Sequence, residues 1–254
     1  MDQATHSQTT EGGWRLLYLV GAAAVAVAVL FFRRNCGAEL TAFRGFGIWD
    51  VPAIPPIGAG DWFALFQEDP FVGLALFGLF DLVNYALVGL IFLALYGALR
   101  RVNRSAMLPA TALGLAGMAV YLASNQAFAM LNLSRQHAGA ATEGQRAMLL
   151  AAGEAVLANQ NPGALYQGTG MYTSLLLVLL AGFIISVVML RSPAFSRWAA
   201  YAGIVANGIA LGRFVALAFA PALLWLPPTV AAPFRLAWYI LIAVGLLRLA
   251  RSRQ

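Results

Sequence analysis

Asp81, Arg213 and Arg235 each stand inside a long apolar run, where a charge needs a physical reason. At the centre of a bilayer such a side chain costs about 2.5–3.5 kcal/mol on insertion scales, so it pairs, faces water or binds something. Asn84 and Tyr85 follow Asp81 by one helical turn, and Asn125 and Gln126 form a polar pair in another apolar run. Counted from the ends of their runs, all of these residues fall in one layer, in the outer half of a bundle. A carboxylate, two guanidiniums, amides and a phenol at one level suit recognition of a polar ligand, or relay of a proton through Asp81. They equally suit a buried Asp81–Arg213 ion pair that only fixes helix register, with Arg235 snorkelling to the interface.

Other chemistries are excluded or weak. All sixteen basic residues are arginine, which removes Schiff bases and phosphate-loop lysines. The two histidines are His6, in a polar stretch, and His137, between apolar runs, so paired axial ligands for a haem are not available. Cys36 is the lone cysteine, which excludes an intrachain disulfide and a cysteine metal cluster. Glu39, Glu68, Asp69, His137, Glu143 and Glu154 offer acid and imidazole groups, but without metal-ligand spacing such as HExxH. Asp69 is explained more simply as a helix cap and His137 as a solvated loop residue. The sequence therefore supports no catalytic residue, metal or cofactor, and a non-enzymatic role is expected.

The elements that must position these residues are membrane helices. The chain of 254 residues is 61% hydrophobic and 10% charged, far from the roughly 45–50% apolar and about 25% charged of soluble domains. Apolar runs extend over Trp14–Phe32, Phe71–Leu99, Met107–Leu133, Met171–Leu190, Trp198 to about Leu226, and Thr229–Leu247. Each approaches or exceeds the roughly 20 residues that cross a bilayer. The first is too long for a signal-peptide core and is read as an uncleaved helix. The predicted fold is all-α: a polytopic bundle of six transmembrane helices, residues 14–250, preceded by a disordered cytoplasmic tail at 1–13. Asp69-Pro70 should open the second helix as N-cap and first helical residue, and Pro227-Pro228 should turn the fifth helix into the sixth.

Net charge is +6, but the arginines cluster beside apolar runs, which points to membrane flanks rather than nucleic acid. Nine arginines flank one side (Arg15, Arg100, Arg101, Arg104, Arg191, Arg197, Arg248, Arg251, Arg253) and five the other (Arg33, Arg34, Arg44, Arg135, Arg146). The positive-inside rule then places both termini in the cytoplasm. Two outer loops result, at about 33–70 and 134–168. The first carries Phe43, Phe46, Trp49, Trp62, Phe63 and Phe66 among Pro52, Pro55 and Pro56, a composition expected to lie on the bilayer interface. The second should form an interfacial amphipathic helix over 142–159, opened by a Thr142/Gln145 capping box. Met148, Leu149, Ala152 and Val156 would share its apolar face, with Leu150 off that face and Glu143, Arg146 and Glu154 opposite. Gly208-x-x-x-Gly212, and Gly182 four residues before Ser186, should let helix backbones approach closely, within the bundle or against a second protomer in a homo-oligomer.

YLASNQAFAMLNLS from Tyr121, QRAMLLAAGEAVLA from Gln145, ISVVMLRS from Ile185, AYAGIVAN from Ala200 and AWYILIA from Ala237 together resemble a bacterial membrane family catalogued as domain of unknown function 4386. The resemblance covers roughly Trp14 to Arg248. It implies a multi-helix protein of the bacterial plasma membrane and carries over no catalytic residues. The leading functional expectation is binding of a small or lipid-like ligand in an outward-facing polar pocket, with membrane lipids around the bundle. A small secondary transporter or proton-coupled carrier using Asp81 and Arg213 is the alternative, although no pair of broken helices is evident in the sequence. An accessory subunit of a membrane complex is a further one.

Overall fold

The computed structural model describes residues 2–32, 56–162, 164 and 167–252, with side chains from Trp14 onward and excluding 30–32. Arg33, Arg34, Cys36, Glu39, Phe43, Arg44, Phe46, Trp49, Pro52 and Pro55, as well as the His6 side chain, lie outside the described residues. Among the described residues regular structure is helical throughout: α1 (Asp2–Phe32), α2 (Ala59–Glu68), α3 (Pro70–Leu74), a π-helical turn (Ala75–Leu79), α4 (Phe80–Leu99), α5 (Arg104–Ser124), α6 (Ala127–Ala138), α7 (Glu143–Asn159), α8 (Thr169–Met189), α9 (Arg197–Phe219), a 3-10 turn (Pro221–Leu223) and α10 (Leu226–Arg251). Five stretches are long and apolar enough to cross a membrane: Pro70–Leu99, Arg104–Ala138, Thr169–Met189, Arg197–Phe219 and Pro221–Arg251. Only 22% to 44% of their most apolar windows is buried inside the protein, so most of that surface must be covered by something apolar, as lipid does.

Local chemistry explains several boundaries. Asp69 caps α3 by accepting from the amides of Phe71 and Val72, with Pro70 at the first position, as expected. Pro227 and Pro228 do not form the final turn. The chain leaves α9 at Phe219, turns through Pro221–Leu223, and spends both prolines in the first turn of α10, where a missing N–H costs nothing. Residues 2–13, read from composition as a disordered tail, are continuous with α1. Extending a nucleated helix adds one bond per residue fixed, whereas starting one is costly.

The chain divides into two compact units, one built from residues 1–32, 85–119 and 174–254, the other from 33–84 and 120–173. In the first, six helices pack in a ring, with small residues at the seams. A side chain at Gly21 of α1 would strike Ala94 of α4 and Leu246 of α10; at Gly114 of α5, Phe92 of α4; at Gly117 of α5, the Ser174 carbonyl of α8. Gly182 of α8 faces Asn207 of α9, and Gly203 of α9 faces both Ser186 of α8 and Trp238 of α10. Close approach therefore falls at Gly182, as expected, and at Gly203. Gly208 and Gly212 have only ordinary contacts, at 3.6 and 3.9 Å. The core is apolar: Tyr18, Val25, Ile91, Leu95, Met107, Ile185, Ile242 and Leu246 are fully enclosed.

The second unit holds its own aromatic core. Trp62, Phe63 and Phe66 of α2 are 2%, 1% and 2% exposed and pack with Phe77, Met130, Leu131 and Leu157. These three aromatics, expected on the bilayer interface, are instead inside the protein. The helix spacing of Trp62, Phe63 and Phe66 makes one stripe, and a stripe that wide is better buried on neighbouring helices than left half-wet. Ser134 fastens α6 to α2 by donating from Oγ to the Phe63 carbonyl at 2.9 Å.

Candidate functional site

Both long apolar stretches that enter the second unit are broken there. Pro70–Leu99 is interrupted by the π turn at Ala75–Leu79, where Gly78 adopts φ +148, a conformation that only glycine takes without strain. Arg104–Ala138 is interrupted at Asn125 and Gln126, between α5 and α6. These two residues were expected inside a continuous helix over Met107–Leu133; they are the hinge between two helices.

The two breaks are tied to each other by amide side chains. Gln160 Nε2 donates to the Phe77 carbonyl at 2.9 Å, while its Oε1 accepts from the Gln126 backbone amide at 2.7 Å. Asn125 Nδ2 donates to the Gly78 carbonyl at 3.3 Å, and Asn125 Oδ1 accepts from the amide of Ala127 at 3.0 Å, opening α6. Each break frees backbone groups that would otherwise be orphaned, and each is answered by an amide, which is donor and acceptor in one group. Gly78 is required twice: besides its φ, a Cβ there would meet Gln160 Nε2 at 2.6 Å and Asn125 Nδ2 at 2.9 Å.

The break also changes the meaning of Asp81. Read along an unbroken run it lies ten residues deep; in the structure it occupies the first turn of α4. A carboxylate is favourable against the positive end of a helix dipole, so part of its cost at this depth is offset by the helix that begins just before it. Asn84 stands one turn further on and, like Asp81, is half-buried.

Of the expected site residues, Asp81, Asn84, Asn125 and Gln126 belong to the second unit, and Tyr85, Arg213 and Arg235 to the first. Within the second unit the structure brings together Asn125, Gln126 and the unpredicted Gly78 and Gln160. Neither of the last two had a legible signal: Gly78 is one glycine among apolar residues, and Gln160 follows a helix in a loop-like sequence, 83 residues from the carbonyl it meets.

Among the described residues, the acidic and imidazole candidates Asp69, His137, Glu143 and Glu154 have structural partners. Glu154 accepts from the amide of Ala59 at 2.8 Å, so it caps α2 from α7. His137 lies in the last turn of α6 with its ring 5.2 Å from that of Phe63, a partly packed position rather than a solvated loop. Glu143 pairs with Arg146 at 2.9 Å on the exposed face of α7, and no cluster of three metal-ligating side chains occurs among the described residues. Thr142 caps α7 as expected, accepting from Gln145, but Gln145 reaches back to the amide of Ala141 instead of Thr142. The packed face of α7 runs through the half-buried Leu149, Leu150, Ala152 and Val156 and the buried Gly153 and Leu157, and ends at Gln160, while Met148 is 64% exposed. Leu150 therefore belongs to the packed face and Met148 does not. No protein family, curated protein or solved structure was found to match this chain.

Proposed function

We propose that the chain is a six-span membrane protein, both termini cytoplasmic, that binds a small or lipid-like ligand beside the paired helix breaks and is not an enzyme. The observation that carries this reading is the pair itself: two apolar helices interrupted next to each other and joined by Asn125 and Gln160. Non-helical backbone at membrane depth is tolerated only where it is enclosed by protein or lines a polar cavity. Asp81 and Asn84 would supply the charge and the amide that recognise a polar head group, with α7 as an outer cover. Arg213 and Arg235 form no part of this reading. The ring that α1 completes with α4 and α10 supports counting it as the sixth span, and the arginine flanks support the orientation. The resemblance to the family of domain of unknown function 4386 adds a bacterial plasma membrane as location.

Native mass spectrometry of the detergent-purified protein tests the ligand. Wild type should retain a molecule of one discrete mass, which Asp81→Asn loses while still melting cooperatively. A wild type carrying no bound mass beyond bulk lipid and detergent, or an Asp81→Asn variant that keeps the same adduct, would overturn the reading.

The same breaks favour one second reading, a proton-coupled carrier, because discontinuous helices are where secondary transporters place substrate and coupling ion. Proteoliposomes holding a pH-sensitive dye decide it: a carrier acidifies under an imposed potential and loses this with Asp81→Asn, whereas a binding protein gives no flux in either form.

A further inference from the structure

A groove of about 350 Å³ opens in the first unit. It is lined by Asn103 and Ala106 at the start of α5, by Phe183, Ile184, Val187 and Val188 of α8, and by Arg191, which follows the end of α8. Val188 belongs to the enclosed core of this unit, and Ile184 packs against that core. From Phe183 to Val188 the α8 side of the groove covers somewhat more than one helical turn, roughly 7.5 Å, and Arg191 follows past the helix end. It is apolar along that length and basic at one end.

Charge decides what fits. The first unit contains eleven arginines and two acids, Asp2 and Glu11, a net +9; the second contains five arginines and eight acids, a net −3. No acid lies in the segments 100–104 or 190–197, and Arg191 has no acidic partner among the described residues.

We infer that this groove binds an anionic diacyl phospholipid, one acyl chain lying along Phe183, Ile184, Val187 and Val188 and the phosphate meeting Arg191 and the Asn103 amide. A basic group above an apolar seam between helices is the arrangement that holds acidic lipid head groups. The inference rests on the chain residing in a membrane and is independent of any ligand at the helix breaks.

Delipidated protein titrated with phosphatidylglycerol or phosphatidylcholine of identical chains, read by native mass spectrometry, tests it. Wild type should retain phosphatidylglycerol over phosphatidylcholine by about fivefold, and Arg191→Gln should bring the two to parity. Val187→Trp should reduce retention of both, and because Val187 is 43% exposed the ring can enter the groove without repacking the core. Arg251→Gln should retain the wild-type preference. If Arg251→Gln abolishes the preference as fully as Arg191→Gln, or Val187→Trp changes nothing, the protein attracts acidic lipid through its general basic field and the groove is not a site. Competition by inorganic phosphate would likewise overturn the lipid assignment.

Discussion

Gln160 serves both helix breaks because a primary amide can donate and accept at the same time, and here it does both while 3% exposed. Its replacement by an apolar residue of similar size leaves one buried and one part-buried backbone group unanswered, at about 1–3 kcal/mol each. Gln160→Leu should therefore cost roughly 2–5 kcal/mol, read as a fall of several degrees in the melting temperature of the detergent-purified protein. Gly78→Ala should cost a similar amount for a different reason, adding backbone strain of about 1–3 kcal/mol to a clash with the same amide. Because the two residues touch, the double variant should lose less than the sum of the singles. A Gln160→Leu protein melting with wild type would mean that the breaks are held by something other than this amide. The charged residues were legible in the sequence because a charge in an apolar run is conspicuous, but these amide and glycine roles were not. Each is defined by a partner on another helix, and no local pattern encodes that distance.

At the scale of elements, what was legible is what local chemistry determines. Asp69-Pro70 opens a helix wherever it falls, because the carboxylate meets the free amides and the proline has none to leave unpaired. Thr142 begins α7 by the same logic. The helix breaks were not legible, since α3, the π turn and α4 read as one apolar run, and only packing distinguishes a continuous helix from two held end to end. Hydropathy alone puts Met148 on the packed face of α7 and Leu150 off it, because two positions of that stripe, Gly153 and Gln160, are glycine and amide and give no hydropathy signal. That stripe is directly testable at Gly153, where a Cβ would meet Ala59 and Phe63 of α2 at 2.8 Å each. Overpacking of this kind typically costs about 1–3 kcal/mol, so Gly153→Val should detach α7 and open it to limited proteolysis, whereas Met148→Ser should leave the cleavage pattern unchanged. Equal protection of Gly153→Val and wild type would show that α7 does not need this contact.

For the whole molecule, membrane character was legible from composition alone, and orientation depends on arginines counted near the helix ends. The segments 100–104 and 190–197 and the flank after Leu247 hold eight arginines, whereas the loop from 134 to 168 holds two, Arg135 and Arg146. Translocating the first set across a bilayer is opposed more strongly than translocating the second, since the bias counts positive residues within short loops. The proposed orientation puts Ser252 and Gly144 on opposite sides, with Ser252 cytoplasmic. Both are exposed, and a side chain at Gly144 would meet no atom within 4 Å, so a cysteine at either position should react freely with any reagent that reaches it. In a Cys36→Ser background, Gly144→Cys should be labelled by a membrane-impermeant maleimide on intact cells, and Ser252→Cys only after permeabilisation. Labelling of Ser252→Cys alone in intact cells would invert the protein; labelling of both or neither before permeabilisation, with both reactive afterwards, would place them on one side and require an odd number of crossings between the α7 turn and the C-terminal flank to become even. With α8, α9 and α10 as the three helices in that interval, the result would then remove one of them from the membrane.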